Sequence, residues 1–318
     1  MLSAAALALS ACGGSGSASE DGGRLRVGVN HWVAKAAINI GTEADRFADE
    51  GIDDLEFETL GPAPSVIAAL QSSKVDIAVL PTTSYLDAIS KNIDLTAVAP
   101  LTGFPADGAD QEKYDGFDLF VQPGGDIERP RDLEGKTVAV GARGDLVEMS
   151  ISYLMIEDGG DPSTVDWIQL VAAPALEAFK SKRLDAAAFA LPFAAEAKDS
   201  GGELLTRLTW PLLDGAPVLM WIGSPALAKD PERLATVQRA LIGTNESANA
   251  DVESTLAAAA KEAGIAVEVM KARPEHFYFP TAHDQDVVEA LAEKMVEMGF
   301  LKGVPDIDAS FASLPDRT

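Results

Sequence analysis

The sequence is poor in the residues that most enzymes and metalloproteins depend on. It holds one cysteine and three histidines in 318 residues. A single cysteine excludes an internal disulfide. His31, His276 and His283 do not follow metal-ligand spacing, and His276 and His283, in a loop-like stretch, are expected to face solvent. The sequence contains no G-x-x-x-x-G-K, G-x-S-x-G or H-E-x-x-H, so three common catalytic signatures are missing. Basic residues are also scarce: 25 Lys and Arg stand against 50 Asp and Glu, a formal net charge of -25. That field repels nucleic acid and anionic lipid, which excludes both as partners. A small ligand remains open, because salt screens surface charge beyond about 10 Å. The apolar run Leu2 to Ala11 is too short to span a bilayer.

What is present describes a globular chain. Apolar residues make up 47% and charged residues 24%, and the length suits two lobes with cores of their own. The only cysteine sits after Leu9-Ser10-Ala11 and before Gly13-Gly14-Ser15-Gly16-Ser17-Ala18-Ser19. An apolar run, small residues, Cys12 and a flexible spacer resemble the lipobox of bacterial lipoproteins. The resemblance implies a signal peptide over 1–12 cut before Cys12, lipidation of Cys12, and a tether over 13–23. One feature departs from such signals, which open with positive charge: the first basic residue is Arg24.

The chain says one phrase twice. Ala69-Leu70-Gln71-Ser72-Ser73-Lys74-Val75-Asp76-Ile77-Ala78-Val79-Leu80-Pro81 is answered by Ala178-Phe179-Lys180-Ser181-Lys182-Arg183-Leu184-Asp185-Ala186-Ala187-Ala188-Phe189-Ala190-Leu191-Pro192. Each reads as a helix end, a basic residue, an Asp, a short apolar strand and a Pro. A fully apolar strand is buried on both faces, as in a parallel sheet between helix layers. Around the first copy, strands are expected at Leu25–Asn30, Leu55–Leu60 and Leu95–Leu101, and helices at Ala34–Glu50, Ser65–Gln71 and Ser84–Lys91. Gly103–Gly116 reads as a crossover. Around the second copy, strands are expected at Phe117–Gln122, Thr137–Val140, Trp167–Leu170, Leu204–Thr209 and Val218–Ile222, and helices at Asp145–Asp158 and Ala175–Ser181. The remainder reads as largely helical, with Val288, Leu291, Met295 and Met298 as one apolar stripe and Gly299 as its C-cap.

The order and spacing of these segments carry a resemblance. "IGTEADRFADEGI", "ALQSSKVDIAVLPTTSY", "DLEGKTVAVGARGD", "DWIQL" and "AFKSKRLDAAAFALP" together resemble the substrate-binding proteins of ABC importers, in the nitrate, sulfonate, taurine and thiamine-pyrimidine branch. The resemblance implies an α/β, two-lobed periplasmic-binding-protein-like fold of type II with a ligand cleft between the lobes. Lobe 1 would be 24–116 plus 223–318, and lobe 2 would be 117–222. It further implies an extracytoplasmic monomer held to the membrane by Cys12, with a permease and an ATPase as partners, no cofactor and no catalysis.

In open α/β sheets ligands bind at the carboxyl ends of strands, so the candidate residues lie there. Asn30, His31 and Trp32 follow the first strand. Trp32 is either a stacking surface or a packing residue of the lobe, with His31 on the surface. Thr82, Thr83 and Ser84 begin a helix, where hydroxyls and unpaired N–H groups suit an oxyanion or a polar ring edge; plain N-capping is the alternative. Arg143 follows the matching strand of lobe 2 and suits bidentate contact with an oxyanion. Asp145 and Glu148 read as a variant capping box there, with Glu148 also a candidate contact. Phe189, Pro192, Phe193 and Trp210 are candidate wall residues or core. Arg143 and the hydroxyl run favour a small anion such as a sulfonate; Trp32, Glu148 and the shortage of other bases favour a neutral or cationic heteroaromatic. The expectation leans to the anion. Two other functions stay open: an enzyme on the same fold making thiamine or menaquinone precursors, and a tethered ligand sensor.

Overall fold

Each copy of the repeated phrase supplies the central strand of a separate sheet. The computed structural model of the chain describes residues 23–105, 111–272 and 278–313. The chain begins with β1 (Arg24–Val29), α1 (Trp32–Glu43), β2 (Asp54–Thr59), α2 (Ala63–Gln71), β3 (Ile77–Pro81), α3 (Thr82–Ser90) and β4 (Thr96–Thr102). It continues with β5 (Asp118–Val121), β6 (Thr137–Val140), α4 (Leu146–Glu157), β7 (Asp166–Gln169), α5 (Ala172–Lys180), β8 (Ala186–Phe189), α6 (Phe193–Asp199) and β9 (Glu203–Arg207). It closes with α7 (Thr209–Leu213), β10 (Leu219–Gly223), α8 (Pro225–Ala228), α9 (Pro231–Ala250), α10 (Val252–Ala263), α11 (Val267–Lys271) and α12 (Gln285–Glu297).

Among the described residues the strands form two five-stranded sheets, in the orders β2-β1-β3-β10-β4 and β7-β6-β8-β5-β9. The two orders are equivalent: a parallel trio, then an antiparallel strand arriving from the other lobe's side. β3 is buried from Ile77 to Leu80 because apolar clusters cover both its faces, as an all-apolar strand requires. In lobe 2, Phe120, Ala187 and Phe189 face one cluster and Leu119, Val121 and Ala186 face the other. The fold is the type II periplasmic-binding-protein architecture.

Three expectations change here. Val218–Ile222 was expected to close lobe 2, but β10 lies between β3 and β4 in lobe 1. Its partners are remote in sequence, and its own apolar run suits any sheet interior. The helix expected over Ala34–Glu50 stops at Glu43, and Asp45 takes φ 56. That turn carries Phe47 into the core, at 2% exposure. His283 was expected to face solvent and is buried instead, stacked on Phe311 with ring centroids 3.8 Å apart. His276 lies outside the described residues, as does Cys12.

The C-terminal helices belong to lobe 1. α9 and α10 pack on α1, and α12 on α3 and α7. Gly41 of α1 allows the closest part of this contact, since a Cβ there would stand 2.0 Å from Thr244 Oγ1 of α9. A terminal strap then covers the β4 edge, with Phe311 bridged to Ala97, and the Tyr85 hydroxyl donating to Ser310 O at 2.7 Å.

The lobes are joined by two segments that run side by side. Gly103 after β4 approaches Pro217 before β10, where a Cβ on Gly103 would meet Pro217 Cα at 3.2 Å. Farther along, Asp115 is fully buried between them. Its Oδ2 accepts from the Trp210 N–H at 2.9 Å and from the Thr209 N–H, and its Oδ1 from Thr209 Oγ1 at 2.8 Å and Phe117 N–H at 3.0 Å. Burial pushes the Asp115 carboxyl above its ordinary pKa, while these four hydrogen bonds pull it down. One carboxylate thus fastens one crossover to the other.

Candidate functional site

The carboxyl end of lobe 2 lies against lobe 1. Leu191, after β8, packs on the lobe 1 cluster that contains Val29 and Val33 as well as on its own lobe. Leu146 and Met149, at the start of α4, join the lobe 1 cluster that contains Phe104 and Leu213. The loops that follow β1, β2, β3, β6, β7 and β8 are the expected place for a ligand in such sheets.

On the lobe 1 wall, two buried polar atoms lack a partner: Asn30 Oδ1 after β1 and Thr83 Oγ1 at the start of α3. β1 and β3 are neighbours in the sheet, and the two residues follow their carboxyl ends. Buried polar atoms are nearly always hydrogen-bonded; Ser150 Oγ, Asn245 Oδ1 and His283 Nδ1 are orphans as well, and what distinguishes Asn30 and Thr83 is their place at the carboxyl ends of strands. α3 has no side-chain cap, and of its first N–H groups that of Thr82 goes to Val218 O, which leaves the next ones without a side-chain acceptor. Ser84, half-buried, is the next residue of that turn.

Thr82 does something else. Its hydroxyl donates to Pro217 O and its N–H to Val218 O at 3.2 Å, so it fixes α3 to the second crossover. The three-hydroxyl run therefore divides: Thr82 is structural, and Thr83 is the open group.

His31 caps α1 through Nδ1, which accepts the Val33 N–H at 3.3 Å. Nε2 then carries the ring proton and is a donor. The ring keeps solvent-accessible surface, yet the surrounding protein desolvates it and pushes its pKa down to about 4. At neutral pH it is uncharged. Trp32 sits 5.3 Å from it, centroid to centroid, half-buried and packed partly on the lobe 1 core. Trp32 thus packs on its lobe, and it stays a candidate stacking surface.

On the lobe 2 wall, Asp145 caps α4, accepting the Glu148 N–H at 2.9 Å and the Ala142 N–H at 2.8 Å. Glu148 accepts the Gly144 N–H at 2.6 Å and two bonds from Arg143, Nε at 3.0 Å and Nη2 at 2.9 Å. The hydrogen bond to Glu148 raises the Arg143 pKa further, and burial raises that of Asp145. The Arg143 guanidinium also lies 5.9 Å over the Trp167 ring. Arg143, expected to be a free cation for an oxyanion, is held by its own loop, and Glu148 is its partner.

The remaining candidates separate by burial. Phe189, at 1% exposure, is core, in ring contact with Phe120 and Phe179. Trp210 packs on the crossover core beside Asp115. Pro192 follows a cis Leu191–Pro192 bond and precedes Phe193, and both are half-buried at the wall. Sequence reasoning missed Leu191 and Asp115. Leu191 could have been found as the apolar residue between the repeated strand and its Pro; Asp115 gives little local signal, because three of its four hydrogen bonds come from residues 94 and 95 positions away.

Two open hollows lie elsewhere. One, of about 480 Å³, includes Asp126, Arg131 and Lys136; the other, of about 530 Å³, includes Ile89, Asp94 and Pro305. Both sit by the amino ends of strands, the end that α/β sheets do not use for ligands. Among the described residues there is no group of acidic, His and Cys side chains able to hold a metal ion, and no helix long and apolar enough to cross a membrane.

The comparisons agree with this geometry. At the level of sequence, no curated protein matches the chain. Among solved structures it is similar to the periplasmic aliphatic sulphonate binding protein SsuA from Escherichia coli, with a TM-score of 0.73 and 17% identity over 93% of this chain and 94% of that one. It is similar to the alkanesulfonate-binding protein SsuA from Xanthomonas axonopodis pv. citri bound to MOPS, with a TM-score of 0.71 and 16% identity over 91% and 98%. The periplasmic nitrate-binding protein NrtA from Synechocystis PCC 6803 gives a TM-score of 0.67 and 13% identity over 91% and 84%. The family described as NMT1/THI5 like matches residues 35–241, more than half of the sequence, and the chain belongs to that family.

Proposed function

We propose that this protein is the extracytoplasmic solute-binding component of an ABC importer, tethered through Cys12. It captures a small organic molecule between its lobes and does no chemistry on it. The observation that carries this reading is the pair of buried, unpartnered atoms Asn30 Oδ1 and Thr83 Oγ1, which follow the carboxyl ends of the neighbouring strands β1 and β3. The family and the fold support it, as do the sulfonate- and nitrate-binding neighbours. Affinity would come from apolar burial against Trp32, Leu191 and Phe193 and from a few directed hydrogen bonds. Closure would bend the two crossovers around the Asp115 clamp.

The test is a thermal-shift screen over sulfonates, nitrate, pyrimidines, flavins and amines, followed by small-angle scattering with any hit. A saturating solute should raise the melting temperature and reduce the radius of gyration. A hit that is chemically transformed on incubation would move the protein to the enzyme reading.

A further inference from the structure

A bound solute meets the charges carried by the loops at the carboxyl ends of the parallel strands. Asn30–Trp32, Leu60–Pro62, Thr82–Ser84, Leu170–Val171 and Ala190–Pro192 contain no Lys, Arg, Asp or Glu. The loop after β6 and the first turn of α4 are the exception, with Arg143, Asp145 and Glu148. One cation thus stands with two carboxylates.

All three are engaged. Glu148, only 5% exposed, takes both Arg143 bonds and the Gly144 N–H. Asp145 takes two more backbone N–H groups. The N-terminus of α4, where an oxyanion would otherwise settle, is filled by the protein's own carboxylates. The Arg143 side chain is 56% exposed and spends only Nε and Nη2 on Glu148, but its charge is matched by Glu148 and outnumbered once Asp145 is added, so an anionic solute meets no net positive charge at this loop.

We infer that Glu148 is a specificity-determining residue: it neutralises Arg143 toward the solute and reserves the cleft for uncharged, zwitterionic or cationic molecules. This rests on the reading that the solute binds between the lobes. It reverses the lean toward a simple sulfonate anion, which treated Arg143 as free.

The experiment titrates ethanesulfonate, an anion with no compensating charge, into the wild-type protein, Glu148→Gln and the double variant Glu148→Gln/Arg143→Met, with a melting curve for each. The wild type should show no saturable binding. Glu148→Gln should gain at least tenfold in affinity, the scale of one charge-assisted bond, and the double variant should lose that gain. Glu148→Ala, which removes the carboxylate altogether, should show the same gain and serves if Glu148→Gln does not fold. Tight binding of ethanesulfonate by the wild type would overturn the inference. So would a folded Glu148→Gln with no gain, or a gain kept in the double variant. Failure of the broader reading looks different: no solute of any charge class would compact the protein in scattering.

Discussion

Asp76 and Asp185 hold the same place in the two lobes. Asp76 Oδ2 accepts the Arg26 N–H of β1 at 2.8 Å, and Asp185 Oδ2 accepts the Thr137 N–H of β6 at 2.8 Å. The backbone repeats the match. The Asp76 N–H donates to Arg26 O at 2.8 Å and the Asp185 N–H to Thr137 O at 2.9 Å, while Ser224 and Gln122 donate to the two Asp carbonyls. In the preceding turns Ser73 and Lys182 both take positive φ, 52 and 57. Each Asp fastens the start of the central strand to its neighbour.

The surroundings differ, and so should the cost of loss. Asp76 is 6% exposed and also receives the Arg26 guanidinium, with Arg233 3.5 Å away. Asp185 is half-buried. Asp76→Ala takes the shared carboxylate from two partly buried cations and should cost about 3 kcal/mol. Asp185→Ala loses a hydrogen bond to a charged group and should cost about 1.5 kcal/mol. Denaturant unfolding of both variants measures the difference; equal losses would deny the role of the arginines.

The parts of this architecture that were legible in the sequence are those written in local patterns. The fully apolar β3, the Asp before it and the order of strands and helices follow from spacing alone. What was not legible depends on partners far along the chain. β10 joins β3 and β4 from more than a hundred residues away, and Asp115 meets Thr209 only once both crossovers exist. Arg143 illustrates a third case. Its neighbour Glu148 was visible, but sequence could not decide whether the pair bonds internally or opens toward a ligand.

The tight seam between α1 and α9 predicts a steric cost. Gly41→Ala places a methyl 2.0 Å from Thr244 Oγ1 and 2.8 Å from Phe47 Cε2. Overpacking of this kind costs about 1–3 kcal/mol. Adding Thr244→Ala removes the nearer clash and should return part of the loss in thermal melting. No recovery in the double variant would place the strain at Phe47.

His283 predicts an acid-sensitive step. Burial lowers its pKa from 6.5 to about 4 in the folded protein. A lowered pKa means the unfolded chain binds the proton more tightly. The stabilising contribution is therefore complete above about pH 6.5, falls as pH drops, and is gone by about pH 4, an amount of about 3 kcal/mol. His283→Asn keeps a donor near Ala97 O, which Nε2 meets at 3.2 Å, and does not titrate. Its stability should fall less than that of wild type between pH 7 and pH 4. Parallel pH profiles would refute the assignment.

The clamp at Asp115 predicts a coupled loss of stability and of a defined hinge. Asp115→Ala leaves the Thr209, Trp210 and Phe117 N–H groups without their acceptor in a buried place. The expected destabilisation is about 2–4 kcal/mol, because several bonds to one charged group are lost together. The radius of gyration without solute should become broader in distribution, since the crossovers are no longer tied. A stable variant with unchanged scattering would remove Asp115 from the hinge.

The two adjacent threonines of α3 give the sharpest separation of fold from function. Thr82 donates to Pro217 O, whereas Thr83 Oγ1 is buried at 1% exposure with no partner. Valine has nearly the shape of threonine without the hydroxyl. Thr82→Val therefore strands the Pro217 carbonyl and should cost about 1–2 kcal/mol of stability, with affinity for any identified solute nearly unchanged. Thr83→Val removes an unsatisfied buried group, so stability should stay level or rise slightly. If the hydroxyl completes its pairing with solute, affinity should fall about three- to tenfold, the worth of one neutral hydrogen bond. Melting curves and calorimetric titration on the two variants read both quantities. Unchanged affinity in both variants would mean that the solute does not reach this turn, and that the orphan hydroxyl is only a local cost of packing α3 against β3.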